Sequence, residues 1–248
     1  MKLHPWWLAP AIVAGCGLVN SNTLSYDYSF DPQGFMESFG SGSQATVPMV
    51  ACDPAGPSNQ CAQVQAALPS NSPATVSCEA TSRTCAASVE LRLPYPVDLS
   101  MQNLPPDVVQ FGASKVSIEK IAYWIMNDQV NVAIPPIDLY VASAAAKDEN
   151  DASAKLVGTV SMLPAMSAQC MDAADSDASE KQVSNGLPVC DISLSDSGES
   201  ALAGFVKDYM TPFQFIAHTK VVAHAGDPLP SGDLSFFVRP TVQFSVLK

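Results

Sequence analysis

From position 213 the chain settles into a strict two-residue rhythm. Phe213, Phe215, Ala217, Thr219, Val221 and Ala223 alternate with Gln214, Ile216, His218, Lys220, Val222 and His224. A period of two places each set on one face of an extended strand, so the first set faces a core. The loop from Gly226 to Asp233 is dense in Gly, Asp and Pro, and it predicts a turn. Beyond it Leu234, Phe236 and Val238 line one face, followed by Val242, Phe244 and Val246. The two runs read as a hairpin. Pro240 has no N–H to give to a ladder, so it should sit at an edge or a bulge.

The same rhythm recurs upstream. Leu24 to Phe30, Ala87 to Leu93, Val116 to Ile118, Ile121 to Met126, Val130 to Ile134, Ile137 to Val141 and Leu156 to Val160 all read as strands. Asn127-Asp128 marks a turn or a bulge, Lys147 to Ser153 a polar hairpin tip, and Gln60 to Leu68 a helical turn or two. One segment has a helical period instead. Leu202, Phe205, Val206 and Tyr209 fall at i, i+3, i+4 and i+7, with Ser195 or Ser197 as the cap, Glu199 in the first turn and Thr211-Pro212 as the stop. The expected architecture is mainly β: an antiparallel, immunoglobulin-like sandwich with one short helix near residues 198–210 and disulfide-stapled loops.

Seven cysteines are present, at 16, 52, 61, 78, 85, 170 and 190. With Cys16 set aside, Cys52, Cys61, Cys78, Cys85, Cys170 and Cys190 form an even set of disulfide candidates, as expected in an oxidising compartment. Sequence leaves the connectivity open. Neighbour pairing would join Cys52 to Cys61, Cys78 to Cys85 and Cys170 to Cys190; a nested alternative joins Cys52 to Cys85 and Cys61 to Cys78. The spacings contain no Cys-x2-Cys pair, so they do not read as a zinc site, and no metal is expected.

Cys16 stands apart because of what precedes it. A short positive start at Lys2, an almost wholly apolar run from Trp6 to Ala14 and small residues before Cys16 have the form of a secretory signal. The run is too short to span a bilayer, which takes about 20 apolar residues. Val13-Ala14-Gly15-Cys16 resembles the bacterial lipobox, in which the cysteine receives diacylglycerol and becomes the new N-terminus. The resemblance implies a signal peptide over residues 1–15, a lipidated Cys16 with a tether and first strand over 16–46, and a single sandwich domain over 47–248. Gly17, which is not Asp, implies outer-membrane sorting, with the protein on the periplasmic face or the cell surface. Acidic residues outnumber basic ones 24 to 12, and losing Lys2 with the signal takes the net charge from −12 to −13. No Lys/Arg patch is present in the sequence, so nucleic acid is not an expected partner. The acidity also disfavours anionic lipid, leaving the acyl chains as the anchor.

The central run, a strand into Asn127 and out again through Ile137 to Val141, is similar to late-embryogenesis-abundant-type water-stress domains. Those are small β sandwiches that occur in bacteria partly as lipoproteins. The likeness spans about 50 residues without a diagnostic motif, so it speaks to fold alone.

Chemistry is sparse. His218 and His224, six apart on one strand, share a face but stand about 20 Å apart by strand rise, too far to share a metal. Ser117 and Lys120 match a Ser-x-x-Lys spacing, but on a strand rather than a helical turn. Gly40-Ser41-Gly42-Ser43 lacks the pattern of a nucleophile elbow. The acidic runs Asp148-Glu149-Asn150-Asp151 and Asp172, Asp175, Asp177, Glu180 lack EF-hand spacing and read as solvated loop tips. No catalytic residue and no cofactor are expected. The favoured reading is a non-enzymatic envelope lipoprotein that binds a protein or glycan, or serves a structural contact. Its rival is a lipid-anchored hydrolase built from separated Asp or Glu residues, and a weaker third is an assembly subunit using a sheet edge. Two close, partly buried carboxylates in a cleft would mark the enzyme. Exposed aromatics on the loops opposite the tether would mark a glycan- or protein-recognition surface.

Overall fold

The structure is a computed structural model describing residues 23–40, 45–57, 59–68, 74–170 and 178–247, with the backbone alone for 178–180. The signal segment 1–15, Cys16, Ser41-Gly42-Ser43 and the acids Asp172, Asp175 and Asp177, with the Glu180 side chain, lie outside the described residues.

Along the chain the elements are β1 (Thr23–Ser29), β2 (Gln33–Ser38), α1 (Ala62–Ala67), β3 (Thr75–Cys78), β4 (Cys85–Val97), α2 (Pro106–Phe111) and β5 (Lys115–Asp128). Then follow β6 (Ile137–Ser143), β7 (Lys155–Val160), α3 (Ala178–Val183), β8 (Cys190–Asp191), β9 (Ser193–Leu194), α4 (Asp196–Lys207), β10 (Phe213–Ala223) and β11 (Asp233–Leu247). They form an antiparallel β sandwich. One sheet runs β1-β11-β5-β8 with β2 also on β11, and the other runs β3-β4-β10-β6-β7-β9.

The alternating runs became strands because each has a face to bury. Along β11, Leu234, Phe236, Val238, Val242, Phe244 and Val246 are all buried, and Phe213, Phe215, Ala217, Val221 and Ala223 of β10 meet them from the other sheet in one core. Phe35 of β2 stacks on Phe236 at 4.9 Å and reaches Tyr95 of β4 at 5.8 Å, tying the layers together.

The final pair is not a hairpin. β10 and β11 belong to different sheets, and the segment between them crosses the end of the sandwich. Alternation reports which face of a strand is buried, not which sheet it joins. Pro240 falls inside β11, a central strand, yet its missing donor does no harm there. A strand residue's N–H and C=O point the same way, and the Pro240 carbonyl accepts from Phe30 N–H at 3.0 Å. Its nitrogen therefore faces the break between β1 and β2, beside the register shift at Thr241/Val242.

Val130 to Ile134 also departs from the strand expectation. Apart from an isolated bridge between Ile134 and Leu163 it is loop, held by Asn131, whose Nδ2 donates to the Leu229 carbonyl at 3.0 Å and whose Oδ1 accepts from Ser231 N–H at 2.8 Å. The expected helix is α4. Ser195 is its cap, accepting from Gly198 N–H at 3.1 Å, and Leu202 and Val206 are buried. It ends at Lys207 rather than 210, because the chain turns there into β10. α2 and α3 were not expected; both are six residues long, too short to show a helical period.

Two loops fold back as straps over the outer faces of the sheets. Residues 144–154 cover Ile216 and Ala142 on the outside of the six-stranded sheet, where Gln214 Nε2 donates to the Ala146 carbonyl at 2.6 Å. Residues 181–189 cover Trp124 and Ala122 on the other outer face, where Trp124 stacks on Phe237 at 5.7 Å. The Cys170–Cys190 bridge, one of the expected pairs, closes the second strap.

The other two bridges differ from both expected patterns. Cys52 joins Cys78 and Cys61 joins Cys85, a crossed arrangement. Cys78 and Cys85 are direct cross-strand partners closing the β3–β4 hairpin, so their side chains lie side by side on one face. Each reaches a different cysteine of the incoming segment, which is bridged to the hairpin through Ala51 and Thr84.

The sandwich has two unlike ends. At the near end the described chain begins, with Thr23 paired to Leu247 and α2 adjacent: Ser114 N–H donates to the Ser245 carbonyl at 2.8 Å. At the far end lie Ser38, Asp128, Asp233 and the crossing segment.

Candidate functional site

The densest polar cluster sits on the outer face of the six-stranded sheet. β4 contributes Glu90 and Arg92, two apart and so on one face, and β10 contributes His218, directly opposite Arg92. The strap brings Glu149 down onto them. Arg92 Nε donates to Glu149 Oε1 and Oε2 at 3.1 and 2.9 Å, and its Nη2 donates to Glu90 Oε1 at 2.7 Å. His218 Nε2 lies 3.2 Å from Glu90 Oε1 and 3.7 Å from Glu149 Oε1.

Glu149 is therefore not a solvated tip. Its side chain is only 9% exposed. Burial pushes its carboxyl up, but the Arg92 hydrogen bonds, a backbone N–H and the charges of His218 and Arg92 outweigh this and hold it below the ordinary glutamate range. The rest of that acidic run behaves as expected of a tip: Asp148 accepts from Asn150 N–H at 2.9 Å and Asp151 from Ser153 N–H at 2.9 Å.

A carboxylate whose pKa falls on folding contributes stability above its unfolded pKa and loses it as pH drops through the folded value. Amide protection in residues 144–154, taken relative to the intrinsic exchange rate at each pH, should accordingly persist at neutral pH and fall below the ordinary carboxylate range. Arg92→Met is expected to produce the same loosening at pH 7; unchanged exchange in that variant would show that the apolar contacts of the strap alone hold it.

Chemically the cluster offers one nitrogen and two carboxylate ligand atoms within 4.8 Å of one another, a set able to take a divalent ion. The Arg92 guanidinium occupies both carboxylates, and any ion must displace it. As the arrangement stands, it neutralises charge and latches the strap. Nor do the described concavities include these residues. Cys52, Cys61 and Cys85 also have sulfurs within 4.8 Å of one another, but all are spent in disulfides.

His224 lies just past β10, with Nδ1 3.1 Å from Glu79 Oε2, away from His218. Ser117 and Lys120 are on strand β5. At the far end a concavity of about 630 Å³ is lined by Ser38, Gln129, Asn131, Met166 and Asp233 among others. Beside it in sequence, Asp128 is buried; its Oδ1 accepts from Val130 N–H at 3.0 Å, while Oδ2 has no hydrogen-bond partner among the described residues. Burial raises this carboxyl above the ordinary aspartate range, against the opposing pull of the Val130 and Ser167 backbone. The far end exposes Met36, Met126, Met162 and Met166, whereas Phe111, the one exposed aromatic among the described residues, is at the near end with Met101 and Met210. The aromatic loop surface that would mark glycan recognition is thus not seen among the described residues.

Only part of this was legible beforehand. Glu90, Arg92 and His218 stand on alternating runs and share faces by parity, but Glu149 joins them across 57 residues through a strap that periodicity does not reveal. No family model, curated protein or solved structure matches the chain. No helix among the described residues is long and apolar enough to cross a membrane.

Proposed function

We propose that the chain is an exported, lipid-anchored protein of the cell envelope, held by acyl chains on Cys16 and sorted to the outer membrane, with a sandwich that binds a partner or makes structural contacts rather than catalysing a reaction. The observation that supports this best is the cysteine pairing. Six cysteines pair completely in three bridges, and the one left over is the cysteine of the lipobox-like Val13-Ala14-Gly15-Cys16. The filled core and strapped outer faces agree with a rigid presenting scaffold.

The rival hydrolase reading draws on one specific observation, the convergence of Glu90 and Glu149. Catalysis needs a carboxylate free to take or give a proton, and both are hydrogen-bonded to Arg92 on a sheet face.

Two measurements test the proposal. Cys16→Ser should leave an unprocessed, unacylated precursor that is washed from membranes, whereas the wild type carries acyl mass and stays bound. Retention of the variant without acyl mass would refute lipid anchoring. Crosslinking of the tethered protein in its own cells should recover an envelope partner; cleavage of a glycan or ester panel by the purified protein, with no partner recovered, would favour the hydrolase.

A further inference from the structure

The near end of the sandwich carries an apolar surface that the fold leaves open. Val109 and Phe111 on α2 are 56% and 52% exposed, Met101 in the preceding turn 83%, Met210 after α4 66%, and Leu247 at the end of β11 63%. Contacts place them at one end. Tyr209 Oη donates to the Val109 carbonyl at 3.3 Å, bringing Met210 beside α2. Ser114, three residues after Phe111, donates to the carbonyl of Ser245, two residues before Leu247. Asp107, the acid within α2, is engaged by the Tyr26 hydroxyl.

We propose that this end docks on a lipid bilayer, with Val109 and Phe111 entering the headgroup–acyl boundary so that the sandwich stands on the membrane with its far end outward. The proposal rests on the lipid-anchor reading and deepens it. Thr23, the first residue of β1, belongs to this same end, and it lies seven residues after Cys16. Seven residues reach at most about 25 Å. The 15-residue β11 spans about 50 Å by strand rise, so a bilayer holding Cys16 lies within reach of the near end and out of reach of an upright far end.

The chemistry of the near end agrees. Aliphatic and aromatic side chains suit the interface, where burial of apolar area drives attachment. An exposed apolar patch marks an interaction surface rather than ordinary surface. The mature charge of −13, from −12 less Lys2, selects zwitterionic over anionic lipid.

The test uses the lipidated mature protein in phosphatidylcholine vesicles, with and without brominated acyl chains. Cleavage before Cys16 removes Trp6 and Trp7 and leaves Trp124, which is 1% exposed beneath its strap and serves as a silent internal control. Phe111→Trp, and Val109→Trp in case the first variant misfolds, should lose fluorescence on going from plain to brominated vesicles. Met36→Trp at the far end and the wild type should not. Acylated, vesicle-bound protein with no quenching at 109 or 111 would overturn the proposal and leave the lipid anchor standing. So would a dimer in which position 111 is already shielded before vesicles are added, because a second copy would then be the occupant. Absence of acyl mass on Cys16, read by mass spectrometry beforehand, would remove the anchor and the docking surface together.

Discussion

Replacing Cys61 and Cys85 together by alanine is expected to lower the unfolding free energy by about 2–5 kcal/mol, read as a fall in the urea midpoint. The bridge spans 24 residues, and the chain-entropy model assigns a loop of that length about 3.5 kcal/mol. Packing adds to this, because Cys85 is fully buried and Cys61 nearly so. The Cys52–Cys78 bridge spans 26 residues, an almost equal loop, but its sulfurs belong to partly buried residues. Its removal should cost less, and the difference measures burial rather than entropy. The two loops interlock, so once one bridge is closed the other restricts an already restricted chain. Each single removal leaves the other bridge still restricting the chain, so the double removal should cost more than the sum of the two single removals. A non-reducing peptide map returning Cys52–Cys61 or Cys52–Cys85 would contradict the crossed pairing outright.

That pairing is a tertiary property that local sequence patterns do not encode. The strands were legible because each presents one apolar face to a shared core, and a two-residue period is a local property. Which cysteines meet depends on how the 50–61 segment lies across the β3–β4 hairpin, a tertiary fact with no local period. The same limit explains the false hairpin: β10 and β11 alternate correctly but face each other across the core. Where the period is imperfect, the exception marks a covered face. Ile216 and Trp124 sit at positions where an open sheet face would be polar, and both are covered by straps. Glu149 lies in one of those straps, and so the polar cluster it completes was hidden with it. A run of acids in a loop reads as solvated unless something basic is known to wait beneath it.

The second large effect runs against helix propensity. Glycine in a helix is less favourable than alanine by about 1 kcal/mol, so alanine at either glycine of α4 would ordinarily stabilise it. At Gly204 the rule should hold, since an added Cβ meets nothing within 4 Å. At Gly198 it should reverse. A Cβ there would lie 2.2 Å from the Leu156 carbonyl oxygen and 2.4 Å from Val157 Cα, both backbone atoms of β7. That strand is held by β6 on one side and β9 on the other, so it has little freedom to retreat. The helix must move instead, and its first turn is fixed in place by the Ser195 hydroxyl, which donates to the Leu156 carbonyl at 2.9 Å while accepting from Gly198 N–H. Gly198→Ala is therefore expected to destabilise by about 1–3 kcal/mol or more, the usual cost of overpacking, while Gly204→Ala raises the midpoint. Equal shifts in the two variants would mean that α4 does not press on β7. The close approach at Gly198 is what lets a 12-residue helix pack against β5 and β7 and bury Leu202 and Val206 in the core; no feature of the helical stripe foretold it, because the constraint comes from the neighbouring strand.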